Sequence, residues 1–354
     1  MNSAPSTLIS RFLQSRIVWP LAGLALLLLF NFIFDRAFFE VSTRDGNFYG
    51  PMLTVMRLSV VVMLLAMGMT LVIATGGVDL SVGSVMAIVG TLVAFLAVKH
   101  HLSFPSLLGV AISVSLAIGA FNGVLISCVG IQPIVVTLIM MVLGRGVALN
   151  ITGGSPLQVM DSGMLFLGKS FIMGVPVQIF LVVLVFAITV ILCRKTAIGL
   201  FVEAVGDNET ASRLSGVNAR GIKVLVYIFS AVCAALAALV SIGDAGSVDP
   251  DGLGQMLELD AITAVVVGGT VLTGGRFTLL GSLIGALLIQ TLATTLIRQG
   301  MDSAYAPVPK ALVILVVCLL QSQKFRAQIA SLIGNFCDCN RQTTRITSAF
   351  GTGA

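Results

Sequence analysis

The sequence predicts an all-α fold, a polytopic membrane helical bundle of about ten transmembrane helices with broken or re-entrant segments. Three observations carry that prediction. Of 354 residues, 57% are hydrophobic and 10% charged, with a mean hydropathy of +1.07, whereas a soluble globular chain carries about a quarter of its residues as charge. The apolar residues form long unbroken runs near the ~20 residues that a helical span requires, and not the short polar/apolar alternation of a membrane barrel strand. Glycine, at 37 residues, clusters where those runs break.

Taken in order, the first run at 17–34 follows Arg11 and Arg16 as a signal peptide would. It is too long for one and lacks a small-residue cleavage pattern, so it reads as a retained membrane helix. Further spans are expected at 53–73, 81–98, 105–127, 133–149, 174–193, 223–243, 259–272, 278–297 and 304–320, the eighth being short. A transmembrane domain thus covers 1–323, with its longest inner loop at 194–222, and a cytoplasmic tail follows at 324–354.

An even span count puts both termini on one side, and the basic residues choose it. Arg11, Arg16, Arg194, Lys195, Arg213, Arg220, Lys223, Arg276, Lys324, Arg326, Arg341 and Arg345 fall on the termini's side; Arg36, Arg44, Lys99, Lys169 and Arg298 fall opposite. That bias predicts cytoplasmic termini. The net charge of +5 therefore bears on topology and anionic membrane lipid; no basic stripe with interleaved aromatics points to nucleic acid. Cys128, Cys193, Cys233 and Cys318 lie in or beside apolar runs and read as small buried hydrophobes, while Cys337 and Cys339 are too few ligands for a metal site.

Two glycine-rich breaks stand out. In Ile73-Ala74-Thr75-Gly76-Gly77-Val78-Asp79-Leu80-Ser81, Gly76 and Gly77 relax the backbone, and Asp79 or Ser81 can cap the next helix. The segment is either a tight turn between spans or a re-entrant turn bordering a pathway. The second runs from Glu258-Leu259-Asp260 through a short apolar stretch to Gly268-Gly269 and Gly274-Gly275. Among polar residues within spans, Asn122 and Gln290 suit inter-helix hydrogen bonds or a pathway face, and Arg145 suits snorkelling to the outer interface or a pathway face. The outer stretches 35–52, 150–173 and 244–257 are Gly-, Ser-, Pro- and Asp-rich and could meet a partner or cap helices.

No phosphate-binding GxxxxGK[ST], HExxH, paired CxxC or GxSxG motif is present, so no residue set supports covalent chemistry on this chain. Three classes stay open on the residues alone: a self-contained secondary transporter of a small polar solute, a transport subunit driven by a separate ATPase, and a membrane scaffold.

Gly76-Gly77-Val78-Asp79-Leu80-Ser81-Val82-Gly83-Ser84, the loop Glu203 to Asn218, and Glu258-Leu259-Asp260-Ala261 through Gly268-Gly269-Thr270 with Gly274-Gly275 together resemble the permease subunits of bacterial ATP-binding-cassette sugar importers. The likeness is to the ribose, xylose, arabinose and galactose type, including its galactofuranose branch, over roughly residues 50–320. It departs from the commoner pattern at Asp207 and Val217. The resemblance implies a transport subunit without its own ATPase site that pairs with a second copy or homologue. It further implies cytoplasmic ATP-binding subunits that hold ATP and Mg, a periplasmic sugar-binding protein, and a monosaccharide as cargo. It assigns ATPase coupling to Glu203, Ala204, Gly206, Asn208, Ala211, Ser215 and Gly216. Gly76, Gly77, Asp79, Ser81, Asn122, Asp260, Gly268 and Gly269 are then the candidates for the pathway or its broken helices.

Overall fold

A computed structural model describes residues 18–302 except 45 and 160, together with 305, 308, 311, 312 and 315. The expected tenth span lies mostly outside the described residues, and the 324–354 tail, with Cys337 and Cys339, wholly outside them. The described chain is a helical bundle. Its apolar helices are α1 (Val18–Phe34), α2 (Pro51–Ala74), α3 (Val82–His100), α4 (Phe104–Val124), α5 (Pro133–Thr152), α7 (Val177–Lys195), α10 (Ala219–Ala245), α11 (Leu257–Val267) and α12 (Leu279–Arg298). A single π-turn, Leu125–Val129, extends α4. Short helices α6 (Ser162–Lys169), α8 (Ile198–Asp207) and α9 (Glu209–Leu214) sit at the two ends of the bundle.

Among the described residues, seven helices are long and apolar enough to cross a membrane, fewer than the ten expected. The first expected span is described from Val18 onward, as the apolar helix Val18–Phe34. The eighth is not a full span: α11 has 11 residues, about 16 Å of rise, roughly half an apolar bilayer core. Gly268 and Gly269 stop it. Gly269 takes φ +92°, and the Gly269 and Thr270 amides donate to the Val266 and Val265 carbonyls, the closing pattern of a glycine-terminated helix.

Burial separates core from periphery. In its most apolar 18-residue window α2 is 78% buried, and α3 and α10 are 67% buried; α4, α5 and α7 are only 28% buried. At the centre, α10 packs on α2, α3, α4 and α6. It does so with small residues, Ser230, Ala231, Cys233, Ala234, Ala235, Ala237 and Ala238, all buried. Its neighbours answer with glycine. A Cβ on Gly119 of α4 would fall 2.6 Å from the Ile228 Cα, and one on Gly123 would fall 2.7 Å from the Val224 Cα, so this Gly-x-x-x-Gly face brings the two backbones together. Apolar helices have no hydrophobic drive to associate in lipid, and such close van der Waals contact replaces it.

The cysteines do not all follow the expected pattern: Cys233 is buried, Cys193 is half-buried and Cys128 is exposed on the π-turn, while Cys318 lies outside the described residues. The stretches expected as outer loops form a structured layer. Ser42–Arg44 pairs with Asn47–Tyr49 and Phe171–Ile172 with Val175–Pro176, while Leu157–Gln158 pairs with Ser247–Val248. α6 backs onto α10 so closely that a Cβ on Gly168 would overlap the Gly243 backbone. At this end, Arg298 donates to Asp35 at 2.6 Å and ties α12 to the end of α1. One turn inward, Asn31 donates to Thr295 at 2.8 Å.

Two outcomes follow from these contacts. Gly119→Leu should lower the thermal unfolding temperature in detergent by the equivalent of about 1–3 kcal/mol, the usual cost of overpacking; the same change at exposed Gly109, with nothing within 4 Å of a new Cβ, should leave it unchanged. The Arg298 hydrogen bond holds the Asp35 carboxyl below its ordinary value. Its contribution is therefore present above the unfolded carboxylate's pKa and lost as pH falls through the folded one. Unfolding scans from neutral to acid pH should show Asp35→Asn removing part of the acid destabilisation.

Candidate functional site

The first break, 75–81, folds into a closed polar knot. Asp79 is 2% exposed. Its Oδ1 accepts from the Ser81 amide at 3.0 Å and the Ser81 hydroxyl at 2.6 Å, and its Oδ2 accepts from Ser230 of α10 at 2.9 Å. Asn122 of α4 donates to the Ser81 hydroxyl at 3.0 Å. Ser81 is the N-cap residue of α3, and among the described residues no side chain caps its first-turn amides; Asp79 instead binds the Ser81 amide just before the helix, and three donors compensate the burial of its carboxylate. The Val78 carbonyl is met by Tyr227 at 3.5 Å and by Thr137 at 3.4 Å, and Ser84 of α3 donates to the Met140 carbonyl of α5. Five elements therefore meet at one break.

Gly77 lies under the Tyr227 hydroxyl, where a Cβ would fall 2.6 Å away. Of the pathway candidates, Gly77, Asp79, Ser81 and Asn122 are brought together here, and all are buried. Ser230, Tyr227 and Thr137 belong to the knot but were not singled out from sequence. A lone hydroxyl in an apolar run gives no signal of its own, because a serine or threonine in a helix ordinarily satisfies itself on a preceding carbonyl.

The second break meets the first. After α11 the chain turns at Gly268 and Gly269, with Thr278 donating to the Gly268 carbonyl at 2.9 Å. The Gly275 amide then donates to the Ala74 carbonyl at the end of α2, at 2.9 Å. A Cβ on Gly274 would fall 2.7 Å from the Gly206 carbonyl and 3.0 Å from the Gly76 amide nitrogen. One on Gly206 would overlap the Ala74 carbonyl oxygen at 1.8 Å. Gly76, Gly206, Gly274 and Gly275 therefore form one junction, where the last turn of α8 touches both breaks at once.

The loop 194–222 is largely helical, because 219–222 already belongs to α10. Asn208 caps α9 by accepting from the Ala211 amide at 2.9 Å, and Asn218 caps α10 through the Gly221 amide at 3.0 Å. Gly216, at φ +85°, closes α9, with its amide donating to Arg213 and that of Val217 to Ser212. Lys223 pairs with Glu209 at 2.5 Å and fastens α9 to α10. The coupling candidates divide accordingly. Gly206 is packed inward, Glu203 and Ala204 are half-buried, and Asn208, Ala211, Ser215 and Gly216 are exposed along α9. Leu214, 86% exposed on the same short helix, was missed; a single leucine among polar neighbours reads as an inward residue until the helix is built.

Asp260 lies half-buried on α11, one turn from the re-entrant segment 246–256 that leads into it. Arg145 is half-buried on α5. Its Nη1 donates to the carbonyls of Asp251 at 3.2 Å and Leu253 at 2.6 Å, holding that non-helical segment against α5.

The family described as "Branched-chain amino acid transport system / permease component" matches residues 52–320. The chain is 42% identical over 317 residues to the Galactofuranose transporter permease protein YtfT of Escherichia coli, covering 88% of this chain and 93% of that protein. It is 38% identical to the Fructose import permease protein FruF of Bifidobacterium longum, covering 92% of each chain. It is 37% identical to the Ribose import permease protein RbsC of Escherichia coli, covering 80% of this chain and 90% of that one. With a bundle of apolar spans and a match over most of its length, this multi-pass membrane chain belongs to the branched-chain amino acid transport system permease-component family.

Proposed function

We propose that this chain is one permease half of an ATP-driven, binding-protein-dependent importer that moves a monosaccharide across the bacterial inner membrane. The observation that carries the reading is the junction at Gly206. A short helix outside the bundle is packed, backbone to backbone, on the carbonyl that ends α2 and on the loop that follows α11. A push on α8 and α9 has no side chain between it and the two breaks to absorb it. Relatives named for galactofuranose, fructose and ribose support the sugar as cargo.

In this reading the termini and the α8–α9 end face the cytoplasm, where an ATP-binding subunit holding ATP and Mg receives Leu214 and its polar neighbours in a groove. A periplasmic sugar-binding protein docks on the opposite layer of short strands and α6. A second copy or homologue completes the pathway, and membrane lipid covers the apolar flanks of α4, α5 and α7. Nucleotide closes the motor subunits, α8 and α9 carry that motion to the breaks, and the sugar leaves from a weakly binding cavity. The two facing states must differ in their affinity for nucleotide or binding protein, since a ligand that binds both equally shifts neither.

The test is co-purification in mild detergent followed by ATP hydrolysis with and without loaded binding proteins. Hydrolysis stimulated by a loaded sugar-binding protein is expected; uptake by this chain alone on an ion gradient would favour a self-contained secondary transporter instead. Leu214→Asp should weaken ATPase-subunit retention on the order of tenfold or more, as removal of a buried apolar anchor does. Gly206→Val should keep the subunit bound but reduce uptake per ATP hydrolysed, because the added side chain separates α8 from the Ala74 carbonyl. Full uptake by Gly206→Val would refute the coupling role.

A further inference from the structure

Among the described residues, one carboxylate oxygen at the start of α11 is buried without a hydrogen-bond donor. Glu258 opens α11 at 8% exposure, and its Oε2 accepts no hydrogen bond. Arg145 stands across Gly83 from it: a Cβ built on Gly83 would fall 2.3 Å from the Glu258 Oε2 and 3.3 Å from the Arg145 Nη2. The guanidinium is committed to the Asp251 and Leu253 carbonyls, and among the described residues no ion pair joins it to Glu258. A carboxylate oxygen out of water without a donor is costly, and polar side chains at membrane depth face protein, one another or water.

The place is deep in the bundle. Gly254 lies against the Gly83 backbone, where a Cβ would fall 2.4 Å from the Gly83 carbonyl oxygen, and the Leu253 side chain lies against Gly90. Gly83 is seventeen residues before the end of α3 at His100, about 26 Å along that helix. The segment 246–256 has therefore descended well inside the bundle without helical hydrogen bonding. Yet Gln255 is exposed, Met256 is 58% exposed and Leu259 is 47% exposed, so the first turn of α11 lies at the surface of the single chain. Lipid cannot cover non-helical backbone at that depth; protein or a water-filled cavity must.

We infer that the Glu258 carboxylate is a polar contact of the translocation pathway at mid-depth, accepting a hydrogen bond from a hydroxyl of a neutral polyhydroxylated solute as it passes. Arg145 is the positioning residue that holds the re-entrant segment and, without pairing, leaves the carboxylate open to a donor. This deepens the importer reading and rests on it for the cargo, but not for the location of the pathway.

The test uses the complete complex with its ATPase and binding protein in vesicles. Sugar uptake per ATP should fall in a graded way, a few-fold for Glu258→Gln and roughly tenfold for Glu258→Ala, the scale of one hydrogen bond to a charged acceptor. Hydrolysis stimulated by loaded binding protein should persist. In a chain whose six native cysteines are replaced, Glu258→Cys should react with a small hydrophilic methanethiosulfonate, at a rate that changes when nucleotide is trapped. Unchanged uptake by both substitutions overturns the hydroxyl contact, and a thiol inert in every nucleotide state overturns the pathway position. If the unaltered complex moves no monosaccharide, the importer reading fails, while the thiol measurement still decides whether position 258 lines the pathway.

Discussion

A backbone amide or carbonyl inside an apolar bundle has no water to turn to, and that constraint accounts for where this chain keeps its scarce polar side chains. Each interruption of helix is met by donors brought from elsewhere. At 75–81 they are Ser230, Tyr227, Thr137 and Asn122. At 246–256 the donor is Arg145, after α11 it is Thr278, and the Gly275 amide meets the Ala74 carbonyl that ends α2. The breaks are thus tied to the helices around them through side-chain and backbone hydrogen bonds.

Much of this was legible in the sequence. Long apolar runs marked α2 and α3 within a few residues, since a run expected at 53–73 became Pro51–Ala74 and one at 81–98 became Val82–His100. Glycine clusters marked both breaks, whereas the expected cap on α3 from Asp79 or Ser81 is not made: Asp79 binds the Ser81 amide and hydroxyl instead. What hydropathy could not show is length against depth: the apolar stretch at 259–272 has the composition of a span, but Gly268 and Gly269 stop it after 11 helical residues. Nor could spacing show that Gly206 touches Ala74, or that Ser230 reaches Asp79. These are meetings of residues far apart in the chain, determined by how α10 threads the core. The partners of Arg145 were hidden for the same reason, because they are carbonyls, which no side-chain pattern reveals.

Small residues do two jobs in this architecture. On α10 and α4 they draw whole helices together; at Gly206 and Gly274 they let three backbones touch. In both places the closest neighbours of an added Cβ are backbone atoms and not side chains that could rotate away; what differs is that the first joins two helices and the second joins a helix to both breaks.

The 11-residue α11 and the non-helical segment before it also bear on how the chain is made. A stretch that spans only half a bilayer core, preceded by Asp249, Asp251 and open backbone, has too little apolar length to partition into lipid alone. Its place depends on surfaces supplied by α3, α5 and α12, which come from both sides of it in the chain. The surfaces that hold it are therefore complete only once α12 has been added to the chain.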